Sequence, residues 1–254
     1  MIAFSQKGTG QALILIHGFC ESKEMWKTFS EHLSTSYQVF CPDLPGFGES
    51  PINQTQISLE ETAVMLHDWM EENQIQHPII IGHSLGGYVT LALAELMGQE
   101  LKAIGLFHST AFADDLEKKK TRNKTIDFVK KNGVDKFIDS FVPPLFSEQH
   151  QTEQADKIKE LIELGKRSSK KGVLAFIAAI RDRKDRFELW KTFQGPKLMI
   201  AGELDPAVKI ESSRLHQPFA TLYHELTGVG HMGMFEKQEE ALMTIERFLS
   251  DQNI

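Results

Sequence analysis

Up to about position 110 the chain alternates short apolar runs with amphipathic stretches. ALILIH (12–17), YQVFC (37–41), PIIIG (78–82) and LKAIGLF (101–107) are rich in β-branched or large apolar residues and bounded by Gly, Pro or polar positions. Such runs read as buried strands. Between them, Trp26, Phe29 and Leu33 follow an i, i+3, i+7 helical spacing. Ser58 with Glu61 three positions later forms a capping box opening a helix through Leu66, Trp69 and Met70. Parallel strands need crossover connections, so strand-helix alternation predicts an α/β fold: a mostly parallel sheet with helices on both faces and ligands at the carboxyl ends of its strands.

The alternation stops after His108-Ser-Thr110, and the pattern becomes purely helical. The predicted helices run from Leu116 to Asn132 ending at Gly133, Val134 to Val142 stopped by Pro143-Pro144, Thr152 to Leu164 ending at Gly165, Ser168 to Ile180, and Arg186 to Lys191. Strand signals return at KLMIA (197–201) and TLYHEL (221–226), and a helix from Glu236 to Leu249 closes the chain. An all-helical insertion in such a frame reads as a lid: core domain 1–110 with 195–254, helical cap 111–194.

Composition adds limits rather than detail. With 254 residues, 41% hydrophobic and 25% charged, the chain suits one large globular domain. Its first residues, MIAFSQKGTG, lack a basic n-region followed by an apolar stretch, and no uncharged apolar run approaches the roughly 18 residues of a membrane span. A cytoplasmic protein without membrane insertion or a nucleic-acid partner is expected. Cys20 and Cys41 form no disulfide framework and show no metal-ligand spacing, so reduced thiols and no metal are expected. Residues 114–191 hold 19 Lys and Arg against 14 Asp and Glu, a balance of +5 that leaves −12 for the remainder of a chain whose net charge is −7. Solvated helix faces account for this pattern; the other reading is attraction of an anionic substrate or an acidic carrier protein.

The chemistry concentrates at Gly82-His83-Ser84-Leu85-Gly86, a GxSxG motif after a strand and before a helix. In such an elbow the flanking glycines relieve clashes, and the serine Oγ is pushed into the open beside a helix N-terminus. The alternative is a plain helix cap. A serine hydroxyl needs a base, and His231, in GVGHMGMF after the last strand pattern, sits at the same sheet edge. His17 and His108 also follow strands and are kept as site-lining candidates, whereas His83 should point away from Ser84. Asp205, in GELDP after KLMIA, is the favoured carboxylate partner over Glu203, with Pro206 opening another helix. Oxyanion donors fall to the backbone N–H groups of Leu85 and Phe19. Phe141, Leu145, Phe146, Phe176 and Met232 either line a substrate pocket or pack the lid, and Cys20 lies beside the oxyanion loop either as a pocket residue or as a small buried hydrophobe.

At HGF (17–19), DLPGFGES (43–50), GHSLGG (82–87), GELDP (202–206) and GH (230–231), in the order Ser, Asp, His, the sequence resembles the α/β-hydrolase superfamily, specifically its lidded serine esterase, enol-lactonase and C–C hydrolase members. The resemblance implies an eight-stranded sheet, a cap inserted after the sixth strand, and no cofactor. Serine at position 84 departs from the aspartate of haloalkane dehalogenases and epoxide hydrolases. The plain HGF departs from the HGGG run of the hormone-sensitive-lipase branch. The expected function is hydrolysis of a small or medium carboxylic ester through an acyl-enzyme. The alternatives are C–C hydrolysis, lactonase or perhydrolase chemistry with the same triad, and a low-turnover ligand receptor.

Overall fold

The computed structural model describes residues 1–251. Seven strands form one sheet: β1 (Phe4–Lys7), β2 (Ala12–Ile16), β3 (Gln38–Pro42), β4 (Ile79–His83), β5 (Ala103–Phe107), β6 (Lys197–Gly202) and β7 (Leu222–Leu226), in the order β1-β3-β2-β4-β5-β6-β7. All pairings are parallel except β1 with β3. The mixed sheet has its helices in α1 (Lys27–Leu33), α2 (Leu59–Glu72), α3 (Leu85–Met97), the cap helices α4 (Leu116–Asn132), α5 (Val134–Phe141), α6 (Glu148–Glu153), α7 (Ala155–Lys166), α8 (Lys170–Asp182) and α9 (Phe187–Thr192), and then α10 (Ile210–Arg214), α11 (Gly233–Glu236) and α12 (Gln238–Asp251). Every residue of β2, β4, β5 and β6 is buried, as continuous apolar runs covered on both faces must be.

Two details differ from the expected architecture. The described residues contain seven strands rather than eight, so the cap follows the fifth strand, not the sixth. One of the seven, β1, gives no sequence signal: FSQK is short, and three of its four residues are polar, as suits an edge strand with only its first two residues partly buried.

The capping box forms as the spacing requires, with Glu61 N–H donating to Ser58 Oγ at 3.0 Å and Ser58 N–H donating to Glu61 Oε2 at 2.7 Å. The first cap helix keeps its predicted limits, ending where Gly133 takes φ +87°. The predicted Thr152–Leu164 helix is instead α6 and α7 with a break at Gln154, and Gly165 lies inside α7 rather than ending it. A Cβ at Gly165 would come within 3.0 Å of Ile138 Cγ2, so this glycine serves the packing of α7 on α5. The closing helix holds as α12, starting at Gln238 instead of Glu236, which ends the separate short α11. No helix begins at Pro206; α10 starts at Ile210.

Strand order reverses between β2 and β4, which run side by side while their following connections leave in opposite directions across the sheet. The carboxyl ends of those strands therefore open a crevice. The loops after β2, β4, β5, β6 and β7 carry residues 17–20, 84, 108, 205 and 231 to that one edge. The 111–194 insertion reaches it through Leu145 O, which accepts His231 N–H, and part of the insertion's basic surplus faces carboxylates outside it: Arg186 pairs with Glu60 and Glu95, and Lys184 with Glu60.

Candidate active site

Ser84 sits between the buried end of β4 and the first turn of α3 with φ +50° and ψ −113°. That conformation costs a non-glycine residue roughly 1–3 kcal/mol, so the surroundings must enforce it. They do so through Ser84 N–H donating to Phe107 O at 2.9 Å and Ser109 Oγ donating to Ser84 O at 2.8 Å. The glycines of the motif follow from contact distances. A Cβ at Gly82 would lie 2.2 Å from the Gly86 carbonyl, and a Cβ at Gly86 would lie 2.3 Å from Ile16 O and 2.7 Å from His17 O. The elbow is thus pressed against the end of β2, where the loop bearing Phe19 begins.

Ser84 Oγ makes no capping bond to its own helix. It donates instead to His231 Nε2 at 2.9 Å, and His231 Nδ1–H donates to Asp205 Oδ2 at 2.7 Å. Ser84 is partly exposed, while His231 and Asp205 are buried. Burial alone would raise the Asp205 carboxyl, but the facing His231 charge and the hydrogen bonds from His108 and His231 hold it well below the usual carboxylate range. For His231 burial favours the neutral ring, yet the Asp205 charge and hydrogen bond outweigh it and the imidazole sits above its ordinary value. Asp205 Oδ1 accepts from Ala207 N–H and Val208 N–H, both at 2.8 Å, which is the local turn that replaces the expected Pro206 helix. Glu203 is exposed and accepts from Gly228 N–H at 2.8 Å, away from His231.

The remaining sequence candidates fall into place around this line. His17 is fully buried: its Nδ1–H donates to Gly18 O at 2.8 Å and its Nε2 accepts Leu44 N–H at 2.9 Å, so the ring braces the loop after β2 rather than presenting a free edge. His108 Nδ1–H donates to Asp205 Oδ2 at 3.1 Å, a role other than substrate lining. His83 does point away from Ser84, lying 3.1 Å from Glu21 Oε2 and 3.0 Å from His231 O. The Phe19 ring packs edge-on to Phe47 and Phe141, with centroids 5.8 Å apart in each case, and Phe141 stacks on Phe137. Phe141 is half-buried, whereas Phe146 and Phe176 are buried and Phe176 packs on Phe47. Cys20 is buried with φ +59°, and burial pushes its thiol well up.

Leu145 and Met232 act through their backbones. His231 N–H donates to Leu145 O at 2.6 Å, and Met232 N–H donates to Glu236 Oε1 at 3.0 Å. Glu236, a helix start in the sequence pattern, is a buried carboxylate whose Oε2 also accepts Gly230 N–H at 3.0 Å, Ser147 N–H at 2.9 Å and His150 Nδ1–H at 3.0 Å. It clamps the residues on both sides of His231 to the cap. Glu21 is the second missed carboxylate, accepting Gly18 N–H at 2.6 Å. Both stand at the start of a polar run, Glu21 before Ser22-Lys23-Glu24 and Glu236 before Lys237-Gln-Glu-Glu240, so no local signal set either apart.

His108, Asp205 and His231 offer three potential metal-ligand atoms within 4.8 Å of one another. Both ring Nδ1–H groups already spend their protons on one carboxylate oxygen, and a metal there would have to displace both bonds. What the arrangement supports directly is proton transfer from a hydroxyl to an imidazole backed by a carboxylate.

Among the described residues no helix is long and apolar enough to cross a membrane. The structure superimposes on a thermophilic esterase from Thermogutta terrifontis with TM-score 0.94 and 25% identity, covering 100% of this chain and 94% of that one. In sequence it is 24% identical over 252 residues to Lipase 3 of a Moraxella species, covering 94% of this chain and 78% of the lipase. It is also 30% identical over 114 residues to the dihydrolipoyllysine-residue acetyltransferase component of an acetoin cleaving system from Cupriavidus necator; that match covers 44% of this chain, which spans only 30% of that larger protein. The sequence pattern of the alpha/beta hydrolase fold matches residues 11–238. With that match over most of its length, the chain belongs to the alpha/beta hydrolase fold family.

Proposed function

We propose that the protein is a serine hydrolase that cleaves a small or medium carboxylic ester through an acyl-enzyme. The observation that carries the proposal is the continuous line from the partly exposed Ser84 Oγ to His231 Nε2 at 2.9 Å and from His231 Nδ1 to Asp205 Oδ2 at 2.7 Å. Ser84 Oγ attacks the ester carbonyl carbon while its proton passes to His231 Nε2. The negative charge that develops on the carbonyl oxygen meets the N–H groups of Leu85 and Phe19, each donor of this kind contributing about 10²–10³ in rate. His231 then returns the proton to the departing alkoxide, which leaves as the alcohol and completes the acyl-enzyme. Water repeats the sequence with the same base and releases the acid, regenerating Ser84. Asp205 keeps His231 in the Nδ1–H tautomer and stabilises its cationic form in both halves.

The aromatic group of Phe19, Phe137 and Phe141 roofs the oxyanion loop from the cap side, which suits an apolar acyl or alkyl group. A fluorophosphonate probe should label Ser84 and nothing else, and p-nitrophenyl acetate turnover should vanish in Ser84→Ala. Unreduced turnover in that variant refutes the assignment. Product analysis over esters, lactones and diketones then fixes the bond that is broken.

A further inference from the structure

The Asp205 carboxylate meets two imidazoles, and the proposed triad uses one. Its Oδ2 accepts from His231 at 2.7 Å and from His108 at 3.1 Å, while Oδ1 is filled by two backbone N–H groups. His108 is held there against local preference. It takes φ +49°, a conformation that favours glycine, directly after the fully buried β5, and its N–H donates to Ile200 O at 2.8 Å. The residue is 1% exposed, and among the described residues its Nε2 has no hydrogen-bond partner.

Two glycines make room for that ring. A Cβ at Gly233 would stand 2.4 Å from His108 Nε2, and one at Gly202 would stand 2.8 Å from His108 Cε1. A buried imidazole with one nitrogen unpartnered costs solvation and gains, through its side chain, a single hydrogen bond. The ring does not compete with His231 as a base for Ser84: its centroid lies 5.8 Å from that of His231, and Nε2 faces Gly233.

We propose that His108 is a positioning residue of the reaction, acting through Asp205: its Nδ1–H fixes the rotation of the carboxylate and draws charge from the oxygen that faces His231. The proposal rests on the reading of Ser84, His231 and Asp205 as the reacting line. Burial favours the neutral form of His108, consistent with one N–H given to Asp205 and an acceptor nitrogen left bare. Without this donor the charge on Oδ2 is concentrated toward His231, so protonated His231 is stabilised further and the base becomes active only at higher pH. The other titratable groups facing this pair stay as they are: His83 from the end of β4, with its ring 5.0 Å from His231, Glu21 from the oxyanion loop and Glu236 from α11.

The test is the rate at which a fluorophosphonate probe phosphonylates Ser84 as a function of pH, in the wild type, His108→Leu and His108→Asn, with folding followed by near-ultraviolet circular dichroism. Asparagine tolerates positive φ and can place an amide N–H where the ring Nδ1–H stood. For His108→Leu the acid limb should move up by about half a pH unit or more, and the maximal inactivation rate should fall about tenfold with the probe's binding constant unchanged. For His108→Asn the limb should return to its wild-type position. An acid limb unmoved in a folded Leu variant, or an Asn variant indistinguishable from Leu, overturns the proposal and leaves His108 a packing residue. Failure of the wild type itself to label at Ser84 would instead sink the functional reading, and this proposal with it.

Discussion

Glu236→Gln tests how the histidine loop is held. Glutamine keeps the shape of the side chain but replaces one acceptor oxygen with an NH2 group. If its carbonyl takes the place of Oε2, the bonds from Gly230, Ser147 and His150 survive, and the NH2 then confronts Met232 N–H in place of the 3.0 Å bond made by Oε1. One hydrogen bond to a charged acceptor is lost and a buried donor is left unpaired, together about 2–3 kcal/mol. For a domain of this size, each kcal/mol lowers the melting temperature by roughly 2–4 °C, so the expected fall is about 4–12 °C. Reversed, the amide would lose three bonds instead of one, so the first orientation is the one adopted and sets the cost. Because the donors Gly230 and Met232 flank His231, kcat should fall as well, up to about a hundredfold for a displacement near 1 Å, with KM changed much less. Calorimetry and p-nitrophenyl acetate kinetics on the same preparation read both quantities. A variant that melts within about 1 °C of wild type and turns over normally would refute the clamp.

Asp205→Asn should cut kcat by about 10³–10⁴ while leaving Ser84 in place, since the amide can no longer stabilise the imidazolium, measured as single-turnover acylation. The kcat/KM profile should rise with pH through a group titrating above the ordinary histidine value of about 6.5, because His231 must lose its proton to act as base and Asp205 holds that proton on. In stability against pH the two partners work in opposite directions: the raised His231 contributes fully below about 6.5 and is lost as pH rises through its folded value, while the depressed Asp205 contributes fully above about 4 and is lost as pH falls through its folded value. Urea unfolding of wild type and Asp205→Asn from pH 3 to 9, a span chosen around those about 4 and 6.5 values, should show the difference between them shrink toward both ends. Gly86→Ala drives a Cβ to 2.3 Å from Ile16 O, so it should destabilise by about 1–3 kcal/mol and abolish labelling of Ser84 together, read by thermal melt and fluorophosphonate gel.

What the sequence revealed tracks what local physics controls. Buried parallel strands and capped helices announce themselves because one segment must satisfy its own burial or its own end groups, as at ALILI or at Ser58 with Glu61. Strand β1 was silent because an edge needs no apolar run, and the split of α6 from α7 at Gln154 depends on cap packing rather than on a local stop signal. The two glycines flanking Ser84 were legible as a motif, but the reason for Gly86 lies in carbonyls seventy residues away, at Ile16 and His17. The residues that meet Asp205 and flank His231 could not be read from spacing. His108 was grouped with the pocket and Glu236 with a helix because their partners, Asp205 and the N–H groups of Gly230 and Met232, are joined only by the fold.

The hydrogen bond from His231 N–H to Leu145 O carries a lesson for rebuilding this enzyme. Swapping its helical insertion for that of a relative is a natural way to alter substrate preference, yet the segment from Leu145 to His150 belongs mechanically to the loop bearing His231 and not to the exchangeable roof. A graft whose downstream junction falls after His150 would import a foreign backbone under the histidine, so the splice should close before Leu145, leaving that stretch with its original host.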